Sequence, residues 1–145
     1  MSANAGPILA VEDEESDRII LRLAFERAKL PGPLVIVRDG QEVVDYLSGK
    51  GPYEDRVAHP LPALIILDLK MPRMNGFDLL GWLAKQPDFK EIPAVVLSSS
   101  GDELDRNKAR ELGARDYFVK PHSLAELIKI AQQMQTRWGA TTLPL

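Results

Sequence analysis

Ala63-Leu64-Ile65-Ile66-Leu67-Asp68 is the stretch that decides the fold, an unbroken apolar run ended by a carboxylate. A strand wet on one face alternates polar and apolar residues. A run without that alternation reads as a strand covered on both faces, which is the habit of parallel sheets. Working outward, similar runs recur at Ile8-Leu9-Ala10-Val11, Leu34-Val35-Ile36-Val37 and Ala94-Val95-Val96-Leu97, with a weaker one at Tyr117-Phe118-Val119.

Longer amphipathic stretches separate these runs. The first predicts a helix from about Glu14 to Lys29, with Ile20, Leu23 and Ala24 facing inward and an end before Pro31. Another runs from about Asp102 to Leu112 and stops at Gly113, a good C-terminal cap. In the last, Leu124, Leu127, Ile128 and Ala131 keep helical spacing, Ser123 stands at the cap position and Glu126 completes a capping box. Strand alternating with helix along a whole chain predicts right-handed crossovers and an α/β fold: a doubly wound, five-stranded parallel sheet. The Gly- and Pro-rich segment from Ser48 to Pro62 predicts an irregular loop, and its length makes it unusual in a compact domain. The expected organisation is a disordered start over residues 1–7, one domain over 8–138 and a frayed tail over 139–145.

Composition narrows the function. The 145 residues carry 18 basic and 21 acidic side chains, for a net charge of −3, and contain no cysteine. Disulfides, thiolate metal sites and thiol nucleophiles are excluded. Bases alternate with acids, as in Asp105-Arg106-Asn107-Lys108-Ala109-Arg110-Glu111, so no basic stripe offers itself to nucleic acid. The start of the chain lacks the charge pattern of a signal peptide, and the run 63–67 is far too short to cross a bilayer. A soluble, cytoplasmic protein is expected.

In an open parallel sheet the ligand site lies beyond the carboxyl ends of the strands. Here the first run ends in Glu12-Asp13, the third in Asp68, the fourth in Ser98 and the fifth in Lys120. Clustered carboxylates repel one another unless a cation joins them, and oxygen ligands favour a hard ion such as Mg²⁺. With such an ion an aspartate can attack an anionic phosphoryl group, while Ser98 and Lys120 hold the remaining oxygens. Each residue also has a plainer reading. Glu12 and Asp13 could cap the first helix, Ser98 could serve the loop after its strand, Lys120 could be an ordinary exposed lysine, and Tyr117 a half-exposed aromatic that never moves. Asp68 is harder to set aside, because a carboxylate at the end of a buried strand needs a partner. Trp82 and Trp138 read as packing residues, Ile130 lies off the inward stripe of its helix, and His59 and His122 are too isolated for a metal site.

Four segments together, Ala10-Val11-Glu12-Asp13, Leu67 to Gly76 (reading LDLKMPRMNG), Val96-Leu97-Ser98 and Val119-Lys120-Pro121, make the chain resemble the response-regulator receiver domains of two-component signalling. The resemblance runs from about Ile8 to Trp138 and implies strand order 2-1-3-4-5. It also implies roles. Asp68 matches the phosphorylated aspartate, Asp13 a direct Mg²⁺ ligand, Glu12 a ligand through water, and the backbone carbonyl of Lys70 a third protein ligand. Ser98 and Lys120 match the groups that contact the phosphoryl oxygens, Tyr117 the aromatic switch, and Lys120–Pro121 a cis bond. The segment Gly49-Lys50-Gly51-Pro52-Tyr53 with Pro60-Leu61-Pro62 is similar to single-domain regulators of bacterial phytochromes. That likeness implies a phytochrome-type histidine kinase as donor and a homodimer through the face of the fourth and fifth helices. No segment resembles a DNA-binding or enzymatic output domain, so output is expected through protein contacts or phosphorelay.

Two departures from the family pattern, Glu12 where many members have Asp and Lys70 with its side chain over the site, flank the water that would hydrolyse an acyl phosphate. The alternative reading is a phosphorylation-independent interaction or dimerisation module of the same fold. A phosphatase of the haloacid dehalogenase type is disfavoured, since its second aspartate would stand where Lys70 does.

Overall fold

The computed structural model describes residues 6–30 and 32–138, and the expectations for the first five residues and for the tail from 139 lie outside this range. Five parallel strands, β1 (Ile8–Val11), β2 (Leu34–Val37), β3 (Leu64–Leu67), β4 (Ala94–Ser98) and β5 (Asp116–Val119), form one sheet in the order 2-1-3-4-5. Helices α1 (Glu15–Ala28), α2 (Gly40–Ser48), α3 (Gly76–Ala84), α4 (Glu103–Glu111) and α5 (Leu124–Trp138) alternate with them. The fold class and the strand order are those expected.

Alternate strand residues divide the core in two, as the period of a strand requires. Leu9, Val11, Ile65, Leu67 and Val96 pack with Val43 and Leu47 of α2, Leu79, Leu80 and Leu83 of α3, and Ala109 of α4. Ile8, Ala10, Leu64, Ile66, Val95 and Leu97 pack on the other face with Leu21, Ala24 and Phe25 of α1 and Leu127, Ala131 and Met134 of α5. The reading of α1 needs a correction. Its buried stripe is Leu21, Ala24 and Phe25, while Ile20 is 45% exposed and Leu23 only half-buried. A helical stripe follows i, i+3 and i+4, and both Leu21-Ala24-Phe25 and Ile20-Leu23-Ala24 satisfy that spacing. Packing on α5 decided between them. Ile130, off the inward stripe of α5, is nonetheless half-buried and packs against the α1–α5 core.

Capping follows the sequence closely. Ser123 Oγ accepts from Glu126 N at 3.1 Å, Asn75 and Asp102 cap α3 and α4, and Gly113 takes a positive φ after α4. The segment from Ser48 to Pro62 is irregular as expected, apart from one 3₁₀ turn over Gly51–Tyr53. It is nonetheless firmly stapled. Arg56 donates to the carbonyls of Tyr46 and Tyr53, Tyr46 Oη donates to the Pro60 carbonyl, and the rings of Tyr46, Tyr53 and His59 pack together.

Strand β5 is tied to α5 by Asp116, whose Oδ2 accepts from Arg137 at 2.7 Å and from Trp138 Nε1 at 3.0 Å. Burial alone would raise the Asp116 pKa, but these donors and the Tyr117 amide hold it below the ordinary value. A depressed carboxylate pKa contributes stability above its unfolded value and loses it as pH falls through the folded one. Asp116→Asn is therefore expected to cost about 1 kcal/mol at neutral pH. That difference should vanish in strong acid, as urea denaturation at the two pH values would show.

Candidate functional site

The site stands where the carboxyl ends of β1, β3, β4 and β5 meet, and each strand delivers one group because the core on both sheet faces fixes its register. Glu12 follows β1 and is 8% exposed; Asp68 follows β3; Ser98 closes β4 and is fully buried; Lys120 follows β5. Lys120 Nζ donates to Asp68 Oδ2 at 2.8 Å and to Glu12 Oε1 at 3.1 Å, joining residues 52 and 108 positions apart in the chain. It is no ordinary surface lysine. Its own amide donates to the Ser98 carbonyl at 2.7 Å, which locks the β5 end against β4.

The electrostatics follow from partial burial. Burial pushes the Glu12 carboxyl above its usual range, and the Lys120 charge beside it only partly offsets this. Burial would lower the Lys120 ammonium, but the hydrogen bond and charge of Asp68, with those of Glu12, outweigh it and hold the ammonium above its ordinary value. Two carboxylates sharing one ammonium make a cluster with a standing demand for positive charge.

Asp13 is exposed at the mouth of the site, and the Arg18 guanidinium donates to the carbonyls of Glu12 (3.2 Å) and Asp13 (2.9 Å), setting the backbone after β1. The capping alternative for the acidic pair does not describe them well. The cap position of α1 is Glu14, without a side-chain cap, and Glu12 accepts from Glu14 N only at 3.3 Å. Among the described residues no three acidic or histidine side chains converge on one point. A divalent ion fits this donor set through one or two carboxylates and a backbone carbonyl, with water completing the shell. Asp13, Asp68 and the Lys70 carbonyl could serve as direct ligands, and Glu12 through water.

Ser98 Oγ accepts from Ser100 N at 3.2 Å, and Ser100 Oγ donates to Asp105 Oδ2 at 2.7 Å. Tyr117 is turned inward at 9% exposure, its hydroxyl donating to the Ser100 carbonyl at 2.7 Å and its ring covered by Arg106 at 4.7 Å. The half-exposed reading of Tyr117 is thus set aside. Ser100 emerges as the residue joining Ser98, Tyr117 and α4, and only its place in the Ser98-Ser99-Ser100 run hinted at it. The Lys70 side chain is exposed beside Met71, Pro72, Phe77 and Asp105 in a cleft next to the site. No described peptide bond is cis, so Lys120–Pro121 is trans, the isomer that an X–Pro bond prefers intrinsically.

The sequence profile of the response regulator receiver domain matches residues 8–132. The chain belongs to that family. Response regulator Rcp1 of a Synechocystis strain is 35% identical, with 99% of each chain covered. The Mn²⁺-bound form of Rcp1 superposes with a TM-score of 0.81 at 34% identity, over 97% of this chain and 99% of that one. The phosphorylated cyanobacterial phytochrome response regulator RcpA reaches 0.83 at 33% identity over 97% and 99%. Response regulator RPA3017, from red light signaling of R. palustris, reaches 0.85 at 30% identity over 96% and 99%.

The receiver is therefore the phosphoacceptor partner of a two-component pair, from a family of signalling domains and not of turnover enzymes. No helix among its described residues is long and apolar enough to cross a membrane.

Proposed function

We propose that this protein is cytoplasmic and that Asp68 accepts the phosphoryl group from a phosphohistidine of a phytochrome-type sensor kinase, with Mg²⁺ as the cofactor. The observation that carries this reading is the Lys120 ammonium held between Asp68 and Glu12 at the sheet edge. An Asp68 oxygen attacks phosphorus, the P–N bond to the donor imidazole breaks, and an acyl phosphate forms. Magnesium, when bound, neutralises charge on the phosphoryl oxygens. Lys120 then turns from the Asp68 carboxylate to a phosphoryl oxygen, and the Ser98 hydroxyl leaves the Ser100 amide from which it accepts and donates its O–H to another such oxygen. Withdrawal of Ser98 perturbs Ser100 and hence Tyr117 and α4, biasing an existing equilibrium at the α4–β5–α5 face. Output passes from there by protein contact or phosphorelay, or through a homodimer. Leu104 and Val119, at 76% and 38% exposure, give that face apolar contact points. Kinship with the phytochrome response regulator RcpA supports the phytochrome-type donor.

The test is intact mass after incubation with acetyl phosphate, with and without Mg²⁺, followed by peptide mapping. One phosphoryl adduct that needs the metal and maps to Asp68 is expected. No adduct on the wild-type chain, with beryllofluoride also failing to bind, would hand the case to the phosphorylation-independent interaction module.

A further inference from the structure

Asp39 and Arg73 form a charged pair that the chemistry above leaves without a role. Asp39, at 7% exposure, is one of the few buried charged residues. Its Oδ1 caps α2 by accepting from Glu42 N at 2.8 Å, and its Oδ2 accepts from Arg73 Nε at 2.9 Å and Nη2 at 2.7 Å. Most surface ion pairs deserve little weight. Two features set this one apart. Both oxygens of the buried Asp39 are engaged although the Arg73 side chain is itself 64% exposed, and Arg73 holds a left-handed backbone (φ 67°) that a non-glycine residue rarely adopts without support.

The strained residue sits midway along residues 69–75, the loop that carries Lys70. The loop is anchored at both ends. Leu69 is buried, Lys70 N donates to Asp68 Oδ1 at 3.2 Å, and Gly76 N donates to the Leu69 carbonyl at 3.0 Å. Gly76 lies so close to the Asp68 carbonyl that a Cβ there would stand 2.4 Å from it. The middle of the loop rests on the start of α2, where a Cβ on Gly40 would stand 2.5 Å from the Met74 carbonyl. With the ends of the loop fixed and its centre strained, Asp39 is the carboxylate that grips Arg73, beside the bond from Met74 N to the Pro72 carbonyl that spans it.

We infer that the Asp39–Arg73 pair is a clasp that positions the loop, and with it the Lys70 carbonyl and the Asp68 carboxylate, to bind a divalent cation. This rests on the reading of Asp68 and Lys70 proposed above. Both residues act through the loop and touch neither metal nor phosphoryl group, so they are positioning residues. Releasing Arg73 lets its backbone leave the left-handed region, and the Lys70 carbonyl turns with it.

The probe is Mn²⁺, with free ion followed by electron paramagnetic resonance during titration of the full chain. Asp39→Asn and Arg73→Ala are each expected to weaken Mn²⁺ binding about tenfold, the lower end for an outer partner of a metal ligand. The double variant should be no worse than either single one, as befits a coupled pair. Phosphorylation by acetyl phosphate at saturating metal should stay within about threefold of wild type, because the ligands themselves remain. Asp116→Asn, which cuts an ion pair of the same kind on β5, should leave Mn²⁺ affinity unchanged.

Affinities within about twofold of wild type in both clasp variants overturn the inference, and so does an equal loss in Asp116→Asn. A rate that saturating metal fails to restore overturns it as well, since that would signal general damage. Wild-type chain that binds no Mn²⁺ sinks the underlying metal reading along with the clasp.

Discussion

Asp68→Asn is expected to leave the chain without a phosphoryl adduct, its intact mass unchanged after acetyl phosphate and Mg²⁺, where the wild-type chain should gain one group. The amide has no anionic oxygen to attack phosphorus, so the rate should fall by at least about a thousandfold. The structural cost should be small. The substituted side chain keeps an oxygen for the Lys70 amide, and Lys120 keeps Glu12. Among the groups that raise the Lys120 pKa against the effect of burial, Asp68 comes first, so the ammonium should titrate at lower pH in this variant. A thermal midpoint close to wild type beside a complete loss of adduct separates chemistry from folding. An adduct that survives in the Asp68→Asn variant would move the acceptor to Asp13 or Glu12 and undo the assignment.

Lys120→Ala has the second large effect, and it divides transfer from metal binding. Removing a donor to the developing oxyanion typically costs about 10²- to 10³-fold in rate, and a loss of that order is expected here. Mn²⁺ binding should survive or tighten, because Asp68 and Glu12 lose the ammonium that shares them. Without metal, the variant should be less stable by about 1–3 kcal/mol at neutral pH, as a half-buried ion pair loses its cation.

The pH dependence has a definite sign. A raised lysine pKa contributes stability below its unfolded value of 10.5 and loses it as pH climbs through the folded value, so the gap to wild type closes in strong alkali. A raised Glu12 pKa contributes stability that is complete below 4.5 and lost as pH rises through the folded value. Without Lys120 the Glu12 pKa rises further, so the gap to wild type should also narrow in acid, where that carboxyl is protonated, and be widest near neutral pH. Urea midpoints at acidic, neutral and alkaline pH check this ordering. A transfer rate within about tenfold of wild type would show that Lys120 only braces the sheet edge.

How much of this was legible beforehand depends on the range over which each feature is encoded. Unbroken apolar runs announced the parallel strands, because burial on both faces leaves no position for a polar side chain. Ser123 with Glu126 and the glycine after α4 announced helix ends, because caps are local hydrogen-bonding problems with few solutions. The inward side of α1 was not legible. Ile20 and Leu21 both lie on helical stripes, and only contact with α5 chose Leu21. The loop from Ser48 to Pro62 looked merely irregular, since Arg56 and the edge-to-face cluster of Tyr46, Tyr53 and His59 act across chain separations that no local pattern records.

By itself, then, the sequence determined which segments are strands, that they lie parallel and, for β1, β3 and β4 but not for the half-exposed edge strands β2 and β5, that they are buried, and which reactive groups stand at their ends. Each of these follows from local patterning and from the rule that places the ends of parallel strands together. The tertiary structure alone decided the pairings. Lys120 reaches Glu12 across 108 positions, Tyr117 finds the Ser100 carbonyl, and Arg73 crosses 34 positions to Asp39. Such contacts depend on the distance between folded elements, which packing sets to within an ångström and which no local spacing of residues expresses.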